Sequence, residues 1–469
     1  MLDAGVPHTV SDGDRDGPLG GPLPVGGPVL RVLLHAWRPQ LPTSRHHLTG
    51  VSRIEFGRGA MSATRVVEDG RAILRLRLPD PMVSTDHGRL ELRDDGWLLD
   101  DPSSKNGAVV AGRPTRCAPV RLGERFELGH TLFGLDHDEL DPLEPPDLAS
   151  DQLAPPLPEL ATFTPAWRRQ LARLAQLAAS ELPVLLLGES GTGKEVLARA
   201  LHRLSGRPGP LVAVNCGGLA PQLVEAELFG HRKGAFSGAL SDRLGYLRAA
   251  DRGTLLLDEV GDLPLPAQAT LLRSLQERVV VPVGDERPLP IDVRVCAATH
   301  RDLDAAVAAG TFRQDLFARL LGLTVTVPPL RARPGDLGLL IASLLSRQPG
   351  GDLATFTPAA AYALAVYPWP LNVRELERVL AAAVITAGSR PITPSDLATH
   401  LTAVPAAIPT AIAPAIPGDH DQRERDALVA GLTQHRGNVA ALARELGVHR
   451  EQVHRRLRRF AIDPTRFRG

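Results

Sequence analysis

A glycine-rich turn between an apolar run and a helical pattern constrains the fold of this chain more than any other feature. The turn reads GESGTGKE, from Gly188 to Glu195, and it follows the apolar run PVLLLG (183–188). Glycines let the backbone approach an anion closely, and the N–H groups at the start of the next helix point toward that anion. The pattern predicts a strand, a phosphate-binding loop and a helix, with Lys194 reaching the β- and γ-phosphates of a nucleotide.

Further apolar runs alternate with helical patterns after this turn. Near-continuous apolar character is typical of strands covered on both faces, as in a parallel sheet flanked by helices. We therefore expect an α/β domain over residues 160–402. The predicted strands are PVLLLG (183–188), LVAVNC (211–216), GTLLLDE (253–259), DVRVCAAT (292–299) and LTVTVP (323–328).

Two adjacent acids, Asp258 and Glu259, end one of these runs at the carboxyl edge of the predicted sheet. After a phosphate-binding loop, such a pair predicts Asp258 as a ligand of Mg²⁺ and Glu259 as the general base for the attacking water. Glu195 stands where the general loop pattern has Ser or Thr, so the metal would depend on Asp258 and water. The expected reaction is the hydrolysis of ATP to ADP and phosphate.

The hexapeptide GAFSGA lies between the two halves of this nucleotide site. Two glycines and small residues surround Phe236, which favours a flexible loop tip that shows one large apolar side chain. The segment closely resembles the GAFTGA signature of the AAA+ activators of bacterial sigma-54 RNA polymerase, with Ser237 in place of Thr. The resemblance implies a sigma-54 contact made by Gly234, Ala235, Phe236, Ser237, Gly238 and Ala239.

The same resemblance implies roles for residues around the nucleotide. Asn215 matches a switch residue that holds the Glu259 side chain until the γ-phosphate is sensed. His300 occupies the first sensor position and Arg374 the second, while Leu371 stands where the family usually has Gly. The nucleotide-binding residues expected on these grounds are Gly188, Glu189, Ser190, Gly191, Thr192, Gly193, Lys194, Glu195, His300 and Arg374.

Two arginines in FRQDLFARL, Arg313 and Arg319, match the arginine fingers of that family. Such residues act on ATP bound by the neighbouring subunit, where a guanidinium neutralises transition-state charge. The resemblance therefore implies a ring, a hexamer in this family, and a monomer that hydrolyses ATP poorly. The expected catalytic residues are Glu259, Asp258, Asn215, Arg313 and Arg319.

Residues 27–135 consist of short alternating runs, such as AILRLRLP and GRLELRDDGWLLDD, separated by Gly, Pro and Asp turns. This pattern predicts a β-sandwich. The segments FGR, STDH, DDPSSKNGAVVAG and LGERFELG resemble a forkhead-associated domain, in the order of that family. The resemblance implies that Arg58 and Ser84 hold a phosphothreonine phosphate and that Asn106 holds the peptide backbone, whereas His87 and Trp97 support the loops and core.

The amino-terminal block departs from that family at Thr85, where an arginine usually follows the serine. The departure removes one expected cation from the phosphate site. Two interpretations therefore stay open: a phosphothreonine sensor, or a domain that acts through intramolecular packing alone.

Positive charge collects in residues 421–469, which contain 11 arginines against six acidic residues. GNVAALARELG predicts a helix capped by Asn438 and ended by Gly447. The next helix, about 450–460, places apolar residues on one face and arginines on the other. This block closely resembles the Fis-type helix-turn-helix domain of the same activators, a small all-α fold. The expected DNA contacts are Gln452, Arg455, Arg456 and Arg459.

Three segments join or precede these blocks. Residues 1–26 predict a disordered tail with no signal-peptide pattern, and residues 403–420 a tether rich in Pro and Ala. Residues 136–159 carry eight acids, six prolines and no Lys or Arg, which favours a solvated extended spacer. Three widely separated cysteines and the lack of a long apolar run predict a cytoplasmic protein.

The sequence thus predicts a three-part regulator with a sensing β-sandwich, an AAA+ ring with a helical lid, and an enhancer-binding domain. Its expected cofactors are ATP and Mg²⁺, and its expected partners are sigma-54 RNA polymerase, enhancer DNA, a phosphothreonine protein or peptide, and further copies of itself. Two alternatives stay open: a DNA-binding repressor or scaffold that retains the ATPase fold, and a remodeller of a client other than sigma-54.

Overall fold

The computed structural model describes residues 26–141 and 144–401, together with residues 435, 438, 439 and 441. The chain divides into two compact units, Met1–Val404 and Pro405–Gly469. In the second unit, Asn438 Oδ1 accepts a hydrogen bond of 3.2 Å from Ala441 N, so the predicted cap is present. The tail before residue 26, the linker 403–420 and Gly447 lie outside the described residues. So do the four predicted DNA contacts Gln452, Arg455, Arg456 and Arg459.

The amino-terminal part of the first unit is built from strands, as the alternating pattern predicts. Gly26, the last residue of the predicted tail, instead begins the first strand and pairs with Glu139. The strands are β1 (Gly26–His35), β2 (Ser44–His47), β3 (Arg53–Arg58), β4 (Ser62–Glu68), β5 (Arg71–Leu78), β6 (Gly88–Arg93), β7 (Gly96–Asp100), β8 (Ala108–Val110), β9 (Arg113–Thr115), β10 (Cys117–Val120), β11 (Arg125–Leu128), β12 (Thr131–Glu139) and β13 (Asp147–Ala149).

These strands form two sheets that enclose one apolar core. One sheet has the order β13-β2-β1-β12-β11-β8-β9 and the other the order β10-β7-β6-β3-β5-β4. Phe56, Phe126 and Phe133 lie between the sheets, each at most 1% exposed, with ring centroids 4.9 to 6.1 Å apart. Trp97 is also buried in this core, as predicted. The β-sandwich prediction is confirmed.

The prediction of a solvated spacer over residues 136–159 is wrong. Its first residues extend β12, and β13 adds a strand to the edge of the sandwich beside β2. The acidic side chains are paired with arginines from elsewhere in the chain: Asp136 lies 3.1 Å from Arg31, and Glu144 lies 2.7 Å from Arg45. Since the spacer contains no cations, sequence composition alone could not reveal the groups that neutralise it.

The central part of the first unit alternates strands and helices. These elements are α1 (Pro165–Gln176), β14 (Val184–Leu187), α2 (Lys194–Ser205), β15 (Leu211–Asn215), α3 (Val224–Phe229), α4 (Tyr246–Ala249), β16 (Thr254–Asp258), α5 (Leu265–Glu277), β17 (Val279–Val280), β18 (Leu289–Pro290), β19 (Arg294–Thr299), α6 (Leu303–Ala308), α7 (Gln314–Leu320) and β20 (Leu323–Thr326). Four helices follow: α8 (Leu337–Leu345), α9 (Pro358–Val366), α10 (Asn372–Ala387) and α11 (Pro394–Ala398). Within the described residues, no helix combines the length and the apolar composition that crossing a bilayer requires.

The central sheet contains the five predicted strands, all parallel, in the order β15-β16-β19-β14-β20. Separate apolar clusters cover its two faces, so the strands are enclosed as their apolar runs predict. Because the strands are parallel, the residues that follow β14, β15, β16 and β19 meet at one edge. That edge carries the predicted nucleotide site.

The β-sandwich packs directly on the helical lid formed by α8 to α11. Gly338 in α8 lies against β1, where an added Cβ would be 2.2 Å from Leu33 O and 2.6 Å from Thr43 Cγ2. Ahead of α9, Phe356 N donates a hydrogen bond of 2.7 Å to Ala36 O. No side chain fits at Gly338, so the contact depends on that glycine.

Candidate functional site

The loop between β14 and α2 has the geometry that its glycines allow. Gly188, Gly191 and Gly193 have φ values of 151°, 76° and 105°, in a region that other residues rarely adopt. Helix α2 begins at Lys194, whose side chain is buried and folds back over the loop. Its Nζ donates to Gly188 O at 2.8 Å and Glu189 O at 3.2 Å. The loop therefore presents backbone N–H groups and one ammonium group at a helix N-terminus, an arrangement suited to phosphates.

The two acids at the end of β16, Asp258 in the strand and Glu259 just after it, lie close to this ammonium group. Burial lowers the pKa of Lys194, while the nearby charges of Glu259 and Asp258 act in the opposite direction. Burial, followed by the charge of Glu259, raises the pKa of Asp258. Glu259, the first residue after the strand, has φ 53°, a left-handed conformation that non-glycine residues rarely adopt. The structure thus brings together Lys194, Asp258 and Glu259, as predicted.

His300 holds the Glu259 carboxylate. Glu259 Oε2 lies 2.7 Å from His300 Nδ1 and accepts a second bond of 3.3 Å from His300 N. The expected contact between Asn215 and Glu259 is absent from the hydrogen bonds of residues 144–401: Asn215 Oδ1 instead accepts from Gly218 N at 3.2 Å. In the sheet, the register partner of Asn215 is Asp258, and Glu259 follows after the strand ends.

The lid and the segment just before it contribute residues that the sequence pattern did not single out. Arg331 donates to both oxygens of Glu189, at 2.8 and 2.5 Å, and Asn372 Nδ2 donates to the same carboxylate at 3.1 Å. The hydrogen bonds from Arg331, which have the larger effect, and from Asn372 lower the pKa of Glu189 to about 2. Arg333 Nη2 donates to Thr192 O at 3.1 Å. In the sequence, Arg331 and Arg333 lie just after the last predicted strand, and this position is the feature that could have identified them as site residues.

Arg374, the predicted second sensor, lies at the same loop. Its Nη1 donates to Ser190 Oγ at 3.1 Å, and its backbone N donates to Gly191 O at 3.3 Å. Leu371 precedes helix α10 with φ −104°, a conformation open to any residue, so the glycine that the family usually has there is not required. An added Cβ at Gly191 would lie 2.2 Å from Leu371 O, which shows how closely the lid approaches.

The acids of this site fit a magnesium ion. Residues 26–141 and 144–401 hold no cluster of three or more His, Cys, Asp or Glu side chains arranged around one metal position. Mg²⁺ does not need such a cluster, because it binds one or two carboxylates together with phosphates and water. Asp258, whose carboxylate lies at the strand end beside Lys194, has the chemistry of such a ligand. Glu195 is turned away toward Arg199, at 2.5 Å.

Arg313 and Arg319 lie apart from this cluster. Arg313 precedes α7 and pairs with Asp315 at 2.7 Å on the surface. Arg319 is exposed and donates to Leu275 O at 3.1 Å. Neither arginine bonds the phosphate-binding loop of its own chain in the described residues.

The GAFSGA segment forms a closed turn, and Phe236 is not a freely exposed tip. Phe236 is half-buried, and its ring lies 5.0 Å from that of His231 in an edge-on arrangement. Gly234 N donates to Ala239 O at 2.8 Å, and Ala239 N donates to Phe236 O at 3.0 Å. Leu240, the next residue, is 84% exposed. The predicted single exposed aromatic is therefore wrong in this conformation, because His231 offers an apolar surface that the hexapeptide does not reveal.

The base of this turn is fixed to a second loop. Arg232 pairs with Asp242 at 2.6 Å and with Asp285 at 2.7 Å. His231 bridges both Arg243 and Val283 through its backbone. The turn and the loop around residue 285 would therefore move together.

In the β-sandwich, the predicted phosphopeptide residues converge on adjacent loops. Arg58 N donates to Ser84 O at 2.9 Å, and Ser84 Oγ accepts from Lys105 N at 3.2 Å. Asn106 Nδ2 donates to Met82 O at 2.7 Å. His87 supports the loops as predicted: its Nδ1 accepts from Ser84 N at 3.0 Å.

Sequence profiles of known domain families match the chain in four segments. The FHA domain matches residues 54–129, and the sigma-54 interaction domain matches residues 160–326. The AAA+ ATPase lid domain matches residues 331–411, and the bacterial regulatory protein Fis family matches residues 421–460. The chain is therefore an AAA+ ATPase with FHA and Fis-type domains on either side, in the order that the sequence patterns predict.

Curated proteins show the same similarity. The sigma-54-dependent transcriptional activator SfnR of Pseudomonas putida is 49% identical over 257 residues, which are 52% of this chain and 70% of SfnR. The response regulator protein PilR of Pseudomonas aeruginosa is 39% identical over 354 residues, 74% of this chain and 77% of PilR. The crystal structure of NtrX from Brucella abortus in complex with ATP is 31% identical, covers 64% of this chain and 68% of NtrX, and has a TM-score of 0.47.

Proposed function

The chain belongs to the sigma-54-dependent transcriptional activators, and we propose that it acts as an oligomeric ring that uses ATP hydrolysis to remodel sigma-54 RNA polymerase. The observation that carries the proposal is the convergence of Lys194, Asp258 and the His300-bound Glu259 in the same domain that carries the GAFSGA segment. The Fis-type block would hold this ring on enhancer DNA, through Gln452, Arg455, Arg456 and Arg459.

The residues of the nucleotide site divide the chemistry between them. The loop N–H groups and Lys194 would hold the phosphates, and Arg374 would approach them from the lid. A magnesium ion held by Asp258 would neutralise phosphate charge. Glu259 would take the proton of the attacking water, and His300 Nδ1 holds the carboxylate that performs this step. Asn215 would hold the Glu259 carboxylate in place of His300 until the γ-phosphate is sensed.

Arg313 and Arg319 would complete the site of the neighbouring subunit. The Arg313 side chain is more than two-fifths exposed, and within the described residues its ion pair is with Asp315, so it could move to a phosphate at modest cost. This placement supports hydrolysis between subunits, because in the part of the chain that the structure describes neither arginine side chain bonds the phosphate-binding loop.

The β-sandwich would sense a phosphothreonine ligand and pass the signal to the lid. A continuous set of hydrogen bonds supports this route. Asn106 Nδ2 donates to Met82 O, and Met82 N donates to Asp80 Oδ1 at 2.8 Å. His130 N donates to the other oxygen of Asp80 at 2.6 Å. Ala36 N donates to His130 O at 2.8 Å, and Phe356 N in the lid donates to Ala36 O.

Transcription in vitro from a sigma-54 promoter tests the proposal, with purified holoenzyme, ATP, and the full-length protein with and without a phosphothreonine peptide library. We expect ATP-dependent transcripts whose yield changes when the peptides are added. Absence of ATP-dependent transcripts from wild-type protein would contradict the activator role and favour a repressor or another client.

The Gly338→Leu variant tests whether the response to peptide can be lost while ATP hydrolysis is retained. The added side chain has no room against β1, so we expect the ATPase to persist while the response to peptide disappears. Ser346→Leu, at the exposed end of the same helix, is the matched control and should keep the response. An unchanged response in Gly338→Leu would contradict coupling through this interface.

A further inference from the structure

We propose that Arg77 supplies the second cation of the phosphothreonine site, in place of the arginine that is missing at Thr85. This inference rests on the proposed phosphothreonine-sensing function of the β-sandwich. A phosphorylated threonine carries close to two negative charges near neutral pH, so two guanidinium groups hold it better than one. Arg77 lies in the strand run AILRLRLP, where the sequence gives no sign of a ligand-binding role.

The backbone places Arg77 beside both predicted phosphate ligands. In the pairing of β3 with β5, Arg77 is the partner of Gly57, which precedes Arg58. The side chain then reaches the other loop: Arg77 Nη1 donates to Thr85 O at 2.7 Å, and Thr85 follows Ser84. The guanidinium group thus lies between the residue before Arg58 and the residue after Ser84.

Two glycines leave the space that this side chain occupies. An added Cβ at Gly57 would lie 1.8 Å from Arg77 Nη1, and one at Gly59 would lie 3.3 Å from Arg77 Cβ. Any larger residue at position 57 would displace the guanidinium group from the loop. The segment FGRG therefore provides Arg58 and, through its glycines, the path along which Arg77 reaches Thr85.

Within the described residues, most of the N–H donors of the Arg77 guanidinium group are available to a ligand. A guanidinium group has five N–H donors, and within the described residues Arg77 uses only Nη1, on a neutral carbonyl. Arg75, two residues earlier on the same face, is held instead by two carboxylates, Glu55 at 2.9 Å and Glu68 at 2.7 Å. Asp86 is exposed in the same loop. The two arginines therefore differ in their freedom to bind an anion.

Arg77→Gln tests the role of the charge. Glutamine retains an N–H donor for Thr85 O but carries no charge, so the loop contact can persist. Full-length protein would select binders from a degenerate phosphothreonine nonapeptide library, and fluorescence anisotropy would give their affinities. We expect Arg77→Gln to weaken binding about tenfold and Arg77→Lys to restore much of the loss. Arg75→Gln, the matched control, should bind as wild type does.

The pH dependence separates a phosphate contact from a structural role. The second proton of phosphothreonine leaves near pH 6, so a site with two cations gains affinity across that range. We expect a smaller gain between pH 5.5 and 7.5 in Arg77→Gln than in wild type. If wild type and Arg77→Gln bind alike while Arg58→Ala fails to bind, the Arg77 inference is overturned and the sensing function stands. If wild-type protein binds no peptide, both are overturned.

Discussion

Phe356 of the lid and Ala36 of the β-sandwich are joined by a backbone hydrogen bond of 2.7 Å. Both residues are buried, at 3% and 1% exposure, so the bond is shielded from water. Gln40 adds hydrogen bonds to the carbonyls of Gly351 and Asp352, at 3.2 and 3.3 Å. A β-sandwich held in this way cannot reorient without disturbing the segment that leads into α9. This contact would be the physical basis for the proposed signal from the sandwich to the ATPase.

Glu259→Gln should leave ATP binding intact and lower ATP turnover by about 10²-fold or more, because the amide cannot accept the proton of the attacking water. Its size and its hydrogen bond with His300 can be retained. The measurement is steady-state phosphate release beside nucleotide affinity. Glu277→Gln, which alters an exposed glutamate paired with Arg273, is the control and should match wild type. Wild-type turnover in Glu259→Gln would refute the role of general base.

Arg313→Ala and Lys194→Ala should each reduce ATP turnover when the variants are assayed alone. If Arg313 acts on the neighbouring subunit, mixed rings contain some sites with both an intact loop and an intact arginine. We therefore expect mixing to restore part of the activity. Native mass spectrometry would establish that mixed rings form. Failure of mixed rings to recover any activity would argue against hydrolysis between subunits.

Phe236→Ala should abolish sigma-54-dependent transcription and leave ATP turnover near that of wild type. We expect the Phe236 side chain to leave His231 when it engages sigma-54. An aromatic side chain can exchange one edge-on contact for another, so the half-buried Phe236 could contact a partner protein instead of His231. Leu240→Ala is the informative comparison, because Leu240 is the more exposed apolar residue in the structure. Transcription that survives Phe236→Ala but not Leu240→Ala would identify Leu240 as the contact instead.

Glu127→Gln should stabilise the protein near pH 8 but not near pH 5. Burial raises the pKa of Glu127 to about 7, and its charge in turn helps to raise the pKa of Tyr362 in α9, after burial of that phenol. Because the folded pKa exceeds the unfolded value, the folded state binds the proton more tightly. Stability is therefore greatest below the unfolded pKa, falls as the pH rises toward 7, and stays reduced above it.

The size of this effect follows from the pKa difference. A shift from 4.5 to about 7 corresponds to about 3 kcal/mol in the unfolding free energy. Thermal unfolding of the full-length variants at both pH values is the measurement. Glu124→Gln, at a carboxylate that accepts from Arg121 N, is the control and should change the melting temperature little. Equal stabilisation by Glu127→Gln at both pH values would show that its charge is not the cause.

Local sequence patterns determined much of the fold. All five strands of the central sheet were predicted within two residues of their observed ends, because an apolar run covered on both faces is visible in the chain itself. The glycines of GESGTGKE likewise predicted a loop whose positive φ values only glycine adopts readily. The Lys194, Asp258 and Glu259 cluster followed from the rule that parallel strands end at one edge.

Contacts between distant segments required the tertiary structure. Arg294 lies inside an otherwise apolar strand run, yet it is 2% exposed, and its guanidinium group donates to the carbonyls of Leu177, Ala178 and Leu182. No local sequence pattern predicts that this arginine donates to three carbonyl groups more than a hundred residues away in the chain. For the same reason, the acidic segment 136–159 was predicted as a spacer, although arginines elsewhere in the chain neutralise it.

The sequence by itself determined the order of the parts, the phosphate loop, the acids and the β-sandwich, since each depends on residues close together along the chain. The tertiary structure alone decided that His300 holds Glu259, that Phe236 rests on His231, and that the sandwich is fixed to the lid at Gly338. Each of these depends on the direction of a side chain or on the space between two surfaces. Such directions and spaces are set by packing across the whole fold, which composition and periodicity do not encode.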